Sequence, residues 1–315
     1  MNTSAAPHEM KHNQVLILLS CLLLGLKWTG IWADERLDYA FFAGIMLVVG
    51  LPHGAVDHLI HIQLKRQNEL TLQSLLRFVS FYVALLLLYG TVWFFFPTMS
   101  LIFFILLSCY HFGQSQWYYF FSSSPVLSGI VYILWGLAVL SYIVLWNSSE
   151  ALLILNSLIP TLTRDNLSEI IGNKWSQIPT LLSIIPAIFL SSKFRTFPKS
   201  VIFWEVVSLL AIGLVSYFCG LLVGFAAYFG FWHSTKSLAA IVRNLRSVHP
   251  GYSLSQFYKD AFVFSFISIA GIVLLLLSLP HLDLGIHPVM LFFVLISLLT
   301  FPHMVILEQL YSRPK

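Results

Sequence analysis

The chain has 315 residues, of which 58% are apolar and only 10% charged, against roughly a quarter charged in an ordinary soluble domain. With a mean hydropathy of +0.84, this composition excludes a soluble globular protein. The net charge of +4 sits in short polar stretches rather than a basic stripe, which removes support for nucleic-acid binding.

The apolar residues come in runs long enough to cross a hydrocarbon core of roughly 30 Å as helices, and Val263 to Leu279 is one continuous example. The alternating pattern of a membrane barrel is missing. The sequence therefore predicts an all-α polytopic transmembrane bundle, with residues 1–315 as one membrane-embedded domain. In chain order the predicted spans are 14–33, 39–61, 76–96, 99–121, 126–146, 179–192, 201–221, 223–243, 260–281 and 287–310, after a short tail at 1–13. The first run, Val15 to Trp32, leads into Asp34-Glu35-Arg36 without a small-residue cleavage signal, so it reads as a span and not a signal peptide. Turn chemistry separates the spans at Phe96-Pro97-Thr98, Ser122 to Pro125 and Pro280 to Pro288. The long connection at 147–178 mixes Leu and Ile with Arg164, Asp165, Glu169 and Lys174, and is read either as an interfacial amphipathic segment or as a surface loop.

Under this count Lys65, Arg66, Arg77, Lys193, Arg195, Lys199, Arg243 and Arg246 fall on one side, with Lys11, Arg313 and Lys315, while the acidic loop Asp34 to Asp38 falls on the other. The positive-inside rule then puts both termini in the cytoplasm, in a multi-pass protein of the cell (inner) membrane. Cys21, Cys109 and Cys219 lie inside apolar runs at unrelated spacings and read as packing residues.

Eleven histidines remain to be explained. His8 and His12 precede the first span, His249, His281 and His287 sit in loops, and His61 closes a span; none of these suggests a function. His53, His111, His233 and His303 lie inside spans two, four, eight and ten, where an ionisable group is costly and faces the bundle interior or a cavity. All four spans run in one direction, so the imidazoles share a depth, and neutral imidazole is a common ligand for zinc, copper, iron and nickel. The alternative for each is a simple interhelical hydrogen bond. Gly50-Leu51-Pro52-His53-Gly54 breaks its span, which is tolerated at membrane depth only when the backbone is buried in protein or lines a cavity. Asp57, four residues on, is placed to orient His53 or to act as a ligand, whereas His58 points about 140° away round the helix. Aromatic residues crowd the same motifs, and Trp117, Tyr118, Tyr228, Phe231 and Trp232 are the expected wall of an apolar ligand cavity.

At these residues the chain resembles the Brp/Blh family of membrane-embedded β-carotene 15,15'-dioxygenases. The resemblance rests on Pro52-His53-Gly54-Ala55 with Asp57-His58, His111-Phe112-Gly113, Trp232-His233-Ser234 and Pro302-His303, in that order. It implies Fe(II) held by histidines, dioxygen as co-substrate, a carotenoid taken from the lipid bilayer, retinal as product, and a functional link to a rhodopsin. The family's second histidine, four residues after the position of His233, is Ser237 here, and Gln116 stands where an acidic residue is expected. Two readings follow: a working dioxygenase, with His303, Asp57 or water completing the ligand set, or a catalytically altered carotenoid- or retinal-binding protein on the same scaffold. A fatty-acyl desaturase lacks its closely packed histidine boxes here, and a transporter lacks an internal repeat.

Overall fold

The computed structural model describes residues 6–64, 71–118, 125–157, 159, 199–282 and 287–311. Lys65, Arg66, Tyr119 to Ser124, most of 147–178, the predicted span at 179–192, Lys193, Arg195, Arg313 and Lys315 lie outside the described residues.

Every regular element among the described residues is helical. In order these are α1 (Ala6–Trp28), α2 (Glu35–Ile45), a π-helical stretch Met46–Gly50, α3 (Leu51–Gly54), α4 (Asp57–Leu64), α5 (Leu72–Phe95), α6 (Pro97–Trp117), α7 (Pro125–Leu145), α8 (Ser148–Asn156), α9 (Lys199–Ala227), a second π-helical stretch Tyr228–Ser234, α10 (Thr235–Val248), α11 (Leu254–Leu282) and α12 (Pro288–Tyr311). Among the described residues seven segments are long and apolar enough to cross a membrane: Glu35–Leu64, Leu72–Phe95, Pro97–Trp117, Val126–Leu145, Ser200–Val248, Leu254–Leu279 and Pro288–Tyr311.

The helix boundaries follow local chemistry. Asp34 caps α2 by accepting from the Arg36 N–H, and Thr71 with Ser74 forms a capping box at α5. Proline opens α6, α7 and α12, where its missing N–H costs nothing. His287, expected as a loop residue, caps α12 by accepting from the Val289 N–H at 3.2 Å. The tail predicted at 1–13 is largely helical, because α1 begins at Ala6. Its buried Asn13 donates to Glu205 Oε1 at 2.9 Å, a contact that ties this first part of the helix to α9.

Segment Ser200–Val248 would reach roughly 70 Å as one straight helix, more than twice a hydrocarbon core. It is not straight. Gly220 (φ 84°, ψ 178°) interrupts α9, and a Cβ on Gly224 would meet the Cα of Ser216 at 2.8 Å. Residues eight apart in a continuous helix never approach so closely, so the chain doubles back at Gly220, at the boundary predicted between spans seven and eight. Glu150 on α8 accepts from the Leu221 N–H at 3.1 Å, and Asn147 donates to the Ser216 carbonyl at 3.0 Å, so both sides of the turn are satisfied.

The elements gather into two compact units. In the first, built from α1, α2, the C-terminal part of α6, α7, the start of α8 and α9 with its π-helical extension, α1, α2 and α7 all pack on α9. Leu23, Val215, Cys219, Val223 and Ala227 form a buried apolar cluster with Phe41 and Phe231 against it. Gly113 on α6 and Gly136 on α7 sit at a close crossing: a Cβ on either would collide with the backbone of Tyr132 or Cys109.

In the second unit α12 packs on α5 and α4, and α11 on α3. Its core joins Val56, Ile60, Phe78, Ile241, Leu245, Phe257, Ile306 and Leu307. The loop before α11 is closed by Arg246 Nε donating to the Tyr252 carbonyl at 2.6 Å and by the Tyr252 hydroxyl donating to Asp260 at 2.9 Å. Burial, followed by the hydrogen bond to Asp260, pushes the Tyr252 phenol above its ordinary range.

Candidate metal centre

His53, His111, His233 and His303 are all buried. Three of them are set by a local irregularity. His53 lies on the single turn of α3 that follows the first π-helical stretch, and His233 lies in the second. His303 follows Pro302 inside α12, and His111 stands two residues before the close-crossing Gly113. π-Bulges and mid-helix prolines turn side chains away from their regular register, and they concentrate at functional sites.

In the first unit the rings of His111 and His233 lie 4.7 Å apart between centroids. Ser115 Oγ is 3.0 Å from His233 Nδ1 and also gives its hydrogen to the Phe112 carbonyl at 2.9 Å. With its single proton committed there, the hydroxyl accepts from His233 Nδ1–H, which makes Nε2 the basic nitrogen. Phe112 and Phe229 lie against the His233 ring at 4.8 and 5.2 Å.

In the second unit His53 and His303 face each other at 5.0 Å, nearly perpendicular. His53 Nδ1 donates to the Gly50 carbonyl. His303 Nδ1 donates to both oxygens of Asp57, at 2.8 and 2.9 Å. Asp57 therefore orients His303, not the His53 expected from i, i+4 spacing. The reason is local: residues 55 and 56 form a turn between α3 and α4, so His53 and Asp57 do not share a continuous helical face.

Three imidazoles thus carry their proton on Nδ1, each fixed by a different acceptor: a backbone carbonyl, a hydroxyl and a carboxylate. Histidine ligands of metals are held in this way, with the second nitrogen left as the donor. Each unit therefore offers imidazole donors of the kind that divalent transition metals take.

The other residues singled out are distributed more widely. His58 is buried against Phe264 at 4.8 Å and Phe78 at 6.2 Å. Ser237 is fully buried, and its hydroxyl stands 3.5 Å from that of Tyr311. Tyr228 is buried with its ring 5.1 Å from Phe112, next to the His111–His233 pair. Trp117 packs on Trp135 at 5.4 Å and Phe231 on Phe41 at 6.1 Å, while Trp232 is buried and Tyr118 lies in the turn closing α6. Phe112 and Phe229, which the expected cavity wall did not include, are aromatics packed on His233.

Gln116 does not lack an acidic neighbour. It donates to Glu205 Oε2, and Asn13 donates to the other oxygen of the same buried carboxylate. Its one signal in the sequence was an acid inside an otherwise apolar span.

Fold and site together define an all-helical protein, with segments able to cross a membrane and buried histidines paired inside them. The family model described as beta-carotene 15,15'-dioxygenase matches residues 44–311. The chain belongs to this family, and the matched region contains all four histidines. No curated protein and no solved structure matches the chain.

Proposed function

We propose that this protein is a non-haem iron dioxygenase that cleaves the central double bond of β-carotene, or of a related carotenoid, with dioxygen to give retinal. Family membership supports the reaction. The observation that supports iron is the set of Nδ1 hydrogen bonds on His53, His233 and His303, which presents basic Nε2 atoms as a metal-binding histidine requires. His53, His111, His233 and His303 are the proposed ligands. Fe(II), when bound, supplies the one-electron and dioxygen chemistry that side chains lack. The chain contributes position and dryness: Asp57 and Ser115 hold two of the rings, and Phe112 and Phe229 exclude water from His233.

The proposed setting is the cell inner membrane, crossed ten times with both termini cytoplasmic. The seven apolar segments, the reversal at Gly220, the additional helix α1 and the apolar run at 179–192 support that count. Retinal would then pass to a rhodopsin-type acceptor.

The purified protein is tested by elemental analysis for iron and by chromatography for retinal formed from β-carotene under air. Near-stoichiometric iron with retinal formation is expected. A folded sample with neither refutes the assignment.

Ser237 supports a second reading, a carotenoid- or retinal-binding protein without turnover. The buried hydroxyl near Tyr311 occupies the position of a family histidine. If the native chain binds carotenoid without iron or turnover and Ser237→His gains both, that reading replaces the first.

A further inference from the structure

The second unit carries an apolar groove of about 630 Å³, formed by α5, α11 and α12 and lined by Leu86, Gly90, Gly271, Leu295 and Leu299 among others. Its α12 wall continues into the site. Leu295 and Leu299 are about one turn apart on that helix, and His303 follows about one turn later, just past Pro302. Its α5 wall behaves the same way, because Tyr82, Leu86 and Gly90 share a stripe, and the Tyr82 hydroxyl donates to the Leu299 carbonyl at 3.1 Å. Both walls therefore end on polar residues at the same place: His303 with its Asp57 partner on one side, Tyr82 on the other.

We infer that this groove seats one arm of the carotenoid, and this inference rests on the dioxygenase reading above. Three observations select that occupant. The lining is apolar apart from Thr91 and Ser268, with Phe94 and Phe95 beside the leucines and glycines at two points, Gly90 and Gly271, which suits an elongated, methyl-branched hydrocarbon arm and offers almost nothing to a polar ligand. The groove opens between helices whose outward faces are strongly apolar, as at Leu87, Phe266 and Leu274, so a ligand dissolved in lipid enters without crossing water. From Leu295 to His303 the wall runs roughly 12 Å, a length that accommodates one extended polyene arm when the central bond lies beside His303.

The two glycines make the inference testable without disturbing the fold. A Cβ on Gly271 meets nothing within 4 Å, and one on Gly90 meets only a Leu298 methyl at 3.9 Å, an ordinary contact. Gly271→Leu and Gly90→Leu therefore fill the groove and strain neither helix. The full-length wild type and both variants are compared with β-carotene and with an apocarotenal shortened on one side, alongside carotenoid retained through purification and the thermal midpoint in detergent.

The expected result is a rise of about tenfold or more in KM for β-carotene, loss of retained carotenoid and an unchanged thermal midpoint. Cleavage of the shortened substrate persists, because its short side can lie toward the filled groove. If the wild type cleaves β-carotene and the variants match it on both substrates, the groove holds lipid chains only and the inference falls while the enzyme reading stands. Equal losses on both substrates also overturn it. If the wild type neither retains nor cleaves any carotenoid, both fall together.

Discussion

Asp57 and His303, 246 positions apart, show what a single helical face cannot reveal. Spacing paired Asp57 with His53, whereas its carboxylate lies on His303, because the turn at residues 55 and 56 breaks the register that i, i+4 arithmetic assumes. Under the proposed iron assignment, Asp57→Ala is expected to lower iron retention by about 10- to 100-fold, measured as iron per chain after dialysis against a weak chelator. Asp57→Asn, which keeps an oxygen acceptor, should lose less. The amide donors on Glu205 are a separate matter. Replacing Gln116 by Leu leaves a buried carboxylate oxygen without that donor, at a cost of about 1–3 kcal/mol, and Glu205→Gln in the Gln116→Leu background should recover part of it in thermal denaturation. The four intramembrane histidines were legible because an ionisable group inside an apolar run stands out. The partners of Glu205 were not, since nothing in the pattern of α9 says which helices lie beside it.

Among the elements, glycines mark where helices approach or reverse. At the α6–α7 crossing, Gly113→Ala and Gly136→Ala push a methyl into backbone that cannot rotate away, so each should destabilise by about 1–3 kcal/mol or more. Gly25→Ala, which meets nothing within 4 Å, serves as the neutral control in the same thermal assay. At the α9 reversal, Gly220 has a φ/ψ combination essentially confined to glycine, and Gly220→Ala should cost about 1–3 kcal/mol. Glu150→Ala, which removes the acceptor for the Leu221 N–H, should weaken the same turn by less. The boundary between spans seven and eight was readable from hydropathy and length. The tight reversal and its two side-chain caps were not, because they depend on Asn147 and, on α8, Glu150 reaching residues about seventy positions away.

For the molecule as a whole, the arrangement of basic residues makes a topological prediction: reporters fused after residue 315 and inserted near residues 66 and 246 should all be cytoplasmic, and one inserted near residue 36 should not. Chelation gives a second test. Each unit has its own packed contacts independent of any ion, so under the proposed iron chemistry a chelator should abolish turnover while far-ultraviolet circular dichroism stays helical. Membrane class, helix positions and the four histidines follow from the linear order of residues, because bilayer thickness imposes a length and an apolar composition on each span and leaves a buried ionisable side chain conspicuous. The pairing of His111 with His233 and of His53 with His303, the transfer of Asp57 to His303 and the joining of Glu205 to Asn13 and Gln116 were decided only in three dimensions. Hydrocarbon rewards every apolar helix face alike, so the choice of neighbours falls to close steric contacts and buried hydrogen bonds between residues far apart in the chain.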